Sequence, residues 1–348
     1  MERMSVTEIK RLAIRAIAGI AATVAFGALV LTMLWRDRGS LDDIDLVAAP
    51  SAHDLDSPVT LTWFGVTTML FDDGETQILI DGFISRPTLL QILTGQAVDN
   101  DVATINYFLN EYRIRRLAAI IPVHSHFDHA MDIGAIGNRS SASILGSEST
   151  AQIARGAGVP EDQIVVVEDS GEYKFGQFTV TFIESNHAPV GWRGSVPLPG
   201  TIDEPLTTPA PITAWREGAS YSIIISHPSG TTLVQGSGGI RQSALDDVEV
   251  DVVMLSVAMI EGLGRDYVEQ YWLATVTSTG ATVVIPIHFD DFTKAFGLVE
   301  LNPDFLDDFE DTVMLLEKFR STWDTETRLY LPVFGEPIAL YPESEPQA

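Results

Sequence analysis

The 348-residue chain contains no cysteine, which excludes disulfide bonds and thiolate metal ligands. Cationic side chains are also scarce, with 21 lysines and arginines against 48 aspartates and glutamates. Beyond residue 35 there are 17 basic and 46 acidic residues, a net charge of −29. Because such a surface repels phosphate backbones, the composition argues against a nucleic acid partner. A hydrophobic content of 45% is sufficient for a full core, so the chain predicts one large domain or two small ones.

Only the N-terminal region carries a long uncharged apolar run, Ala16–Trp35, which contains 20 residues. A helix of that length spans roughly 30 Å, the thickness of one hydrocarbon core. More basic residues precede the run than follow it: Arg3, Lys10, Arg11 and Arg15 against Arg36 and Arg38. This bias predicts a single-pass signal anchor in the cell membrane, with the remaining chain outside the cytoplasm. A cleaved signal peptide is the alternative, but the small residues Val47-Ala48-Ala49 lie too far downstream for its cleavage site.

Composition divides the chain into an anchor at 1–38 with a helix at about 16–35, an acidic linker at 39–58, and a domain at 59–342. Inside that domain, the segment 188–219 holds six of the 18 prolines, together with Trp192 and Trp215. A loop of this length in a compact domain is usually functional or disordered. We therefore predict that it forms a lid or a wall of the substrate pocket, with the two indole rings suited to an apolar or sugar-like substrate.

The pattern of apolar residues predicts two strand-rich halves, each accompanied by helices. The predicted helices cover 86–116, 130–137, 149–156, 265–278 and 304–320. The predicted strands lie within 59–81, 117–123, 143–145, 164–167, 172–184, 220–226, 231–235, 249–257, 281–287, 328–333 and 337–340.

Three of the seven histidines fall in the hexad His124-Ser125-His126-Phe127-Asp128-His129. The hexad follows an apolar run at 117–123 that is typical of a buried strand. Residues two apart in an extended segment point the same way, so His124 and His126 can face one point, with Asp128 and His129 beside it. Imidazole nitrogens and carboxylates suit Zn, Mn or Fe ions. The alternative is a histidine-rich loop without metal, but unpaired buried imidazoles are costly.

A His-x-His-x-Asp-His motif after a hydrophobic strand resembles the signature of the metallo-β-lactamase superfamily. The resemblance implies a four-layer αββα sandwich with a third histidine at a later strand end, where His187 stands, and a last one at His288. It implies an aspartate at the end of an early strand, here Asp81. The implied metal ligands are thus His124, His126 and His187 for one ion and Asp128, His129 and His288 for the other. The segments Leu61–Gly65 and Leu79–Asp81 look most like the branch of L-ascorbate-6-phosphate lactonases and N-acyl phosphatidylethanolamine phospholipases D.

One position departs from the pattern of the superfamily. Many members carry a bridging aspartate in a Gly-Asp step, but Ser237 follows Gly236 here. A neutral hydroxyl is a poor metal ligand, so we expect the second site to be weaker or empty. A role for Ser237 as a nucleophile is the alternative, yet Gln235 stands where a nucleophile elbow needs glycine.

Together these features predict a membrane-anchored, metal-dependent hydrolase that uses a metal-bound hydroxide on one or two Zn²⁺ ions, with Mn²⁺ or Fe²⁺ possible. Asp128 is the candidate to orient the hydroxide or take its proton, and Asp81 to orient a ligand imidazole. The expected substrate is a small molecule or lipid, as a lipid-like phosphodiester or a lactone. The alternative is a non-catalytic, metal-containing binding or sensor module. His53 and His227 are predicted to lie outside the site, and the oligomeric state is left open.

Overall fold

A long N-terminal helix, α1 (Val6–Arg36), opens the part of the chain that the computed structural model describes, residues 5–342. Its section Lys10–Arg36 contains an apolar window with a mean hydropathy of 2.2 in which none of the described residues is buried, and by length and composition it is able to cross a membrane. The helix therefore extends further towards the N-terminus than the apolar run alone predicted. Arg3, part of the predicted charge bias, lies outside the described residues.

The first of two facing sheets has seven strands in the order β17-β2-β3-β4-β6-β7-β8. They are β2 (Thr60–Trp63), β3 (Met69–Asp72), β4 (Gln77–Ile80), β6 (Leu117–Ile121), β7 (Ser143–Gly146), β8 (Ile164–Val166) and β17 (Pro337–Ala339). The neighbours from β4 to β8 are parallel, so the segments leaving them emerge at one edge of the sheet.

The second sheet has eight strands in the order β1-β16-β15-β14-β13-β12-β10-β9. They are β1 (Val47–Ala48), β9 (Glu172–Phe175), β10 (Phe178–Ser185), β12 (Ser220–His227), β13 (Gly230–Gln235), β14 (Val252–Ser256), β15 (Val283–Ile287) and β16 (Arg328–Leu331). A separate ribbon pairs β5 (Ala97–Val98) with β11 (Ala210–Pro211).

Helices cover the outer faces of both sheets. They are α2 (Leu89–Thr94), α3 (Val102–Glu111), α4 (Phe127–Ala130), α5 (Ile133–Gly137), α6 (Glu148–Gly156), α7 (Arg265–Trp272), which continues as the π-helical turn Leu273–Thr277, and α8 (Phe309–Trp323).

The layering follows from the alternation of side chains along each strand. In β4, Ile78 and Ile80 join the core that lies between the two sheets, whereas Leu79 joins a second core under the helices. Ile120 and Ile121 of β6 divide between the two cores in the same way. Because successive strand residues point to opposite faces, an unbroken apolar run is what a strand covered on both sides requires. This arrangement confirms the predicted αββα sandwich.

Two helix predictions were wrong. The segment 86–116 forms two helices rather than one, because Gly95 adopts a left-handed conformation (φ +66°) that ends α2 before β5 begins. The last long helix starts at Phe309 rather than at 304, since Asp308 caps it by accepting a hydrogen bond from the Asp311 amide.

Residues 39–58, predicted to be a linker, are instead attached to the domain. The short strand β1 pairs in parallel with β16 at the edge of the second sheet. Ile44 is buried in the main core, and Ser51 bridges to Ile338 of β17. The segment thus holds the base of α1 against the domain.

Candidate metal centre

The predicted metal ligands follow strands that end at one edge of the sandwich. His124 and His126 come after β6, His187 after β10 and His288 directly after β15. Asp128 and His129 lie in α4, the single turn that begins right after His126. The structure therefore brings together side chains that are up to 164 positions apart in the chain.

The first cluster contains His124, His126 and His187, whose ligand atoms lie within 4.8 Å of one another. Nε2 of His124 is 2.9 Å from Nδ1 of His126, so these two nitrogens converge on one point. Nδ1 of His187 lies 2.7 Å from the Ala188 carbonyl oxygen, which fixes the ring and leaves its Nε2 free to face the cluster.

The second cluster contains Asp128, His129 and His288, again with ligand atoms within 4.8 Å. The Asp128 Oδ2 atom lies 3.7 Å from Nε2 of His129 and 3.6 Å from Nε2 of His288. The two clusters are adjacent, because the rings of His124 and His129 have centroids only 3.9 Å apart. This spacing suits a pair of neighbouring metal sites.

Asp81 lies behind the second cluster and is fully buried. Its Oδ2 atom is 2.7 Å from Nδ1 of His129, and its Oδ1 atom accepts a hydrogen bond of 2.8 Å from the Val123 amide. The Thr67 hydroxyl donates to the same Oδ2 atom and lies 2.8 Å from Nδ1 of His129. With Nδ1 of His129 facing Asp81, the Nε2 atom is the one that faces Asp128 and is placed to bind an ion.

The backbone around the site adopts conformations that L-residues rarely use. His288, Asp81 and Val66 have φ values of +64°, +57° and +51°. The His288 amide donates to the Val66 carbonyl, and the Val66 amide donates to Oδ1 of Asp290, so two loops clamp each other. Backbone strain of this kind is maintained by surrounding contacts and is common at functional sites.

A buried arginine supports that clamp. The Arg86 guanidinium lies 3.8 Å from Oδ2 of Asp290 and donates a 3.0 Å hydrogen bond to the Phe64 carbonyl. It also lies over the Phe83 ring, 4.5 Å from the centroid. Arg86 and Asp290 thus hold the segment that carries His288 without entering the clusters themselves.

Burial and charge divide the histidines into two kinds. Burial lowers the pKa of His124, His126 and His187, the last to about 4, so all three are neutral and have a lone pair available at pH 7. Burial also opposes the charging of His129, but Asp81 and Asp128 outweigh it and raise the pKa of that imidazole. Burial likewise opposes ionisation of Asp128, yet His129 and His288 outweigh it and lower the pKa of that carboxyl.

The donor set fits a divalent transition metal ion. Three neutral imidazoles converge in the first cluster, and a carboxylate joins two imidazoles in the second. Nδ1 of His124 is buried and makes no hydrogen bond in the described structure, a cost that an ion bound through the other nitrogen offsets. Nitrogen and oxygen ligands in this number suit Zn²⁺, Mn²⁺ or Fe²⁺.

Ser237 lies in the wall of the same cavity and is mostly buried. Its hydroxyl accepts a 3.0 Å hydrogen bond from the Ala188 amide, the residue that follows His187. The side chain therefore supports the backbone beside one ligand, and it brings no negative charge to the two clusters.

A cavity of about 270 Å³ opens directly on both clusters. Besides the metal ligands, its wall is largely apolar and includes Phe127, Val190, Pro197, Leu198, Ala258, Met259, Phe292 and Leu306. The proline-rich segment 188–219 thus contributes to the wall, but not through its tryptophans. Trp215 is buried in the core beneath the helices, and Trp192 is 83% exposed and outside the cavity wall. Neither indole ring therefore lines the cavity, where the sequence had suggested that both rings suit the substrate.

Four functional candidates were not identified from the sequence: Thr67, Arg86, Asp290 and Asp307. Asp290 could have been identified from the sequence, because it lies two residues beyond His288 at the same strand end. The other three lie in loops without a motif, and their roles depend on contacts distant in sequence. Asp307 lines the cavity, where burial raises the pKa of its carboxyl to about 7.

The two remaining histidines lie away from the clusters. His53 is exposed on the segment that carries β1, with its Nε2 atom 3.9 Å from Glu336. The His227 ring packs against Phe178, and its Nε2 atom lies 3.8 Å from Oδ2 of Asp73. These contacts indicate a structural role.

The chain is similar to one family model and to several known proteins. Residues 61–202 match a family model described as the metallo-beta-lactamase superfamily. A UPF0173 metal-dependent hydrolase of Pyrobaculum islandicum is 24% identical over 264 residues, which cover 75% of this chain and 94% of the relative. One from Staphylococcus epidermidis is 24% identical over 258 residues, with coverages of 74% and 94%.

Among solved structures, CmlA, a diiron beta-hydroxylase from Streptomyces venezuelae, superposes with a TM-score of 0.52 at 12% identity. The match covers 82% of this chain and 55% of that protein. At this identity the likeness concerns the fold alone.

Proposed function

We propose that the chain is a metal-dependent hydrolase of the metallo-β-lactamase superfamily, that α1 anchors it in a membrane, and that it cleaves an amphiphilic substrate. The bond attacked is the phosphodiester of a lipid-like molecule or the ester of a lactone. The observation that carries this proposal is the apolar cavity that opens on both histidine clusters. An apolar wall beside polar reacting groups favours a substrate that has both an apolar part and a polar part.

The six predicted ligands, His124, His126, His187, Asp128, His129 and His288, are the residues that would hold the ions. An ion held by these residues would supply Lewis acidity, which activates water and polarises the bond to be cleaved. Asp128 is a carboxylate at neutral pH, because its neighbours lower the pKa of that carboxyl, so it can accept a hydrogen bond from the attacking water and orient it. Asp81 and Thr67 keep the His129 ring in one orientation.

The test is hydrolysis by the purified full-length protein in detergent, loaded with Zn²⁺ or Mn²⁺. Bis(p-nitrophenyl) phosphate gives a first reading, followed by phosphodiesters and lactones in matched long-chain and short-chain pairs. We expect the long-chain member of the accepted class to have the lower KM. His187→Ala should lose about 100-fold or more of the turnover, since it removes one of three ligands, while the exposed His53→Ala should behave as the unaltered protein.

Turnover of neither class by metal-loaded protein would contradict the proposed substrates. Metal content without turnover of any substrate would instead favour the non-catalytic module.

A further inference from the structure

The end of the apolar helix α1 is bound to the segment 288–307, which also contributes residues to the wall of the cavity. Nη1 of Arg38 forms ion pairs of 3.1 Å with Asp291 and 3.2 Å with Glu300. The Gly39 amide donates to Oδ1 of Asp304 at 2.9 Å, and the Asp304 amide donates back to the Asp37 carbonyl at 3.0 Å. These contacts place the base of the helix on the segment that runs from ligand His288 to Asp307.

An aromatic contact continues the same junction towards the cavity. The rings of Trp35, at the end of the apolar span, and Phe305 meet edge to face with centroids 6.1 Å apart. The next residue, Leu306, lines the cavity, and Phe305 and Leu306 are 48% and 40% exposed. Met259 lines the cavity beside them, and its amide donates to Oδ1 of Asp307. We define Met259, Phe305 and Leu306 as the apolar rim.

The position of Trp35 sets the level of this rim relative to a membrane. A tryptophan at the end of a membrane helix lies in the interfacial layer, and the basic residues Arg36 and Arg38 follow it here. Consecutive residues are about 3.8 Å apart, so the Phe305 contact holds Leu306 within roughly one side-chain length of that layer.

We propose that the apolar rim lies in the membrane interface, so that an amphiphilic substrate enters the metal cavity directly from the lipid. This proposal rests on the proposed membrane anchoring and names the route by which the substrate arrives. The apolar tail passes along Met259, Phe305 and Leu306, while the head group reaches the two clusters. Because the chain beyond residue 35 carries a net charge of −29, this charge favours a zwitterionic or neutral lipid surface over an anionic one.

The absence of cysteine gives a direct test of depth. Phe305→Cys in the full chain is labelled with an environment-sensitive fluorophore and reconstituted in phosphatidylcholine vesicles that contain nitroxide lipids. The matched control is Leu93→Cys, an apolar residue that is 74% exposed on α2 and outside the cavity wall. We expect quenching at position 305 to exceed that at position 93 severalfold.

A kinetic arm uses Phe305→Ser and the control Leu93→Ser. Phe305→Ser should raise KM about fivefold or more for a long-chain substrate in vesicles, with little change for a soluble short-chain one. Leu93→Ser should change neither. Equal quenching of the two labels in vesicle-bound protein would overturn the membrane entrance while leaving the hydrolase intact. Failure of the full chain to sediment with vesicles would overturn the anchoring, and this proposal with it.

Discussion

At the scale of single residues, we expect Ser237 to weaken the binding of a second metal ion. A bridging carboxylate attracts two cations, whereas the Ser237 hydroxyl is neutral and already accepts a hydrogen bond from the Ala188 amide. We expect the purified protein to hold between one and two equivalents of metal, nearer to one. Ser237→Asp should raise the occupancy of the second site, which elemental analysis after dialysis measures. Two tightly held ions in the unaltered protein would contradict this account of Ser237.

The contact between Asp81 and His129 makes a second prediction at this scale. Asp81 accepts hydrogen bonds through both oxygens, so Asp81→Asn leaves either His129 or the Val123 amide without an acceptor. Loss of such a partner behind a ligand typically costs about 10- to 100-fold in metal affinity or activity. Metal titration and kcat together should show this loss. Asp73→Asn, which changes a buried carboxylate beside His227 outside the site, serves as the control.

From the raised pKa of Asp307, we expect the stability of the folded protein to depend on pH. Its carboxyl accepts hydrogen bonds from the Met259 amide and Asn302, and burial raises its pKa from 3.8 to about 7, with Glu261 and Asp308 adding in the same direction. Because the folded chain keeps this proton while the unfolded chain releases it, the contribution to stability is present below about pH 4 and is lost as pH rises to about 7. The total amounts to about 4 kcal/mol at most.

Asp307→Asn removes this titration while keeping the shape of the side chain. The urea midpoint of the variant should therefore vary less between pH 5 and pH 8 than that of the unaltered protein. An identical pH dependence in the two proteins would contradict the raised pKa.

At the scale of elements, the strands and the positions of the histidines at their ends are the best predicted features. An apolar run followed by histidine places the ligand at the sheet edge whatever the rest of the chain does, and this holds for the ends of β6, β10 and β15. Helix boundaries were less predictable. Asn302-Pro303 resembles a helix start, but Asp304 instead accepts a hydrogen bond from Gly39, a contact 265 positions away in sequence. The placement of Trp215 depended on tertiary packing in the same way.

The contacts between α1 and the domain change the position at which the anchor, predicted at 1–38, can be removed. Arg38 is mostly buried and pairs with Asp291, whose side chain is only 3% exposed. A chain beginning at Arg38 should be soluble and folded. A chain beginning at Ser40 should be less stable by about 1–3 kcal/mol, because Asp291 loses a buried partner. Urea unfolding of the two proteins measures the difference. In the full chain, Arg38→Met is the test variant, and Arg36→Met is its matched control. Equal stability throughout would mean that the junction contributes nothing.

At the scale of the whole molecule, charge is distributed unevenly along the chain. Lys10, Arg11 and Arg15 precede the apolar span, and the strongly acidic domain follows it. Basic residues are retained on the cytoplasmic side during insertion, so the domain is expected outside the cytoplasm. The cysteine-free composition is compatible with that compartment and equally with the cytoplasm, so charge alone carries the expectation.

A reporter enzyme that is active only outside the cytoplasm tests this orientation when fused after Ser40. We expect activity from the unaltered sequence, and less when Lys10, Arg11 and Arg15 are replaced together by glutamine, because the charge bias is then reversed by Arg36 and Arg38. Replacing the same number of exposed basic residues in the domain should have no effect on orientation, since only charges near the span act. A cytoplasmic reporter in the unaltered chain would overturn the orientation. The metal centre would be unaffected by that outcome, because its six ligands all lie beyond residue 120 and on the far side of the span.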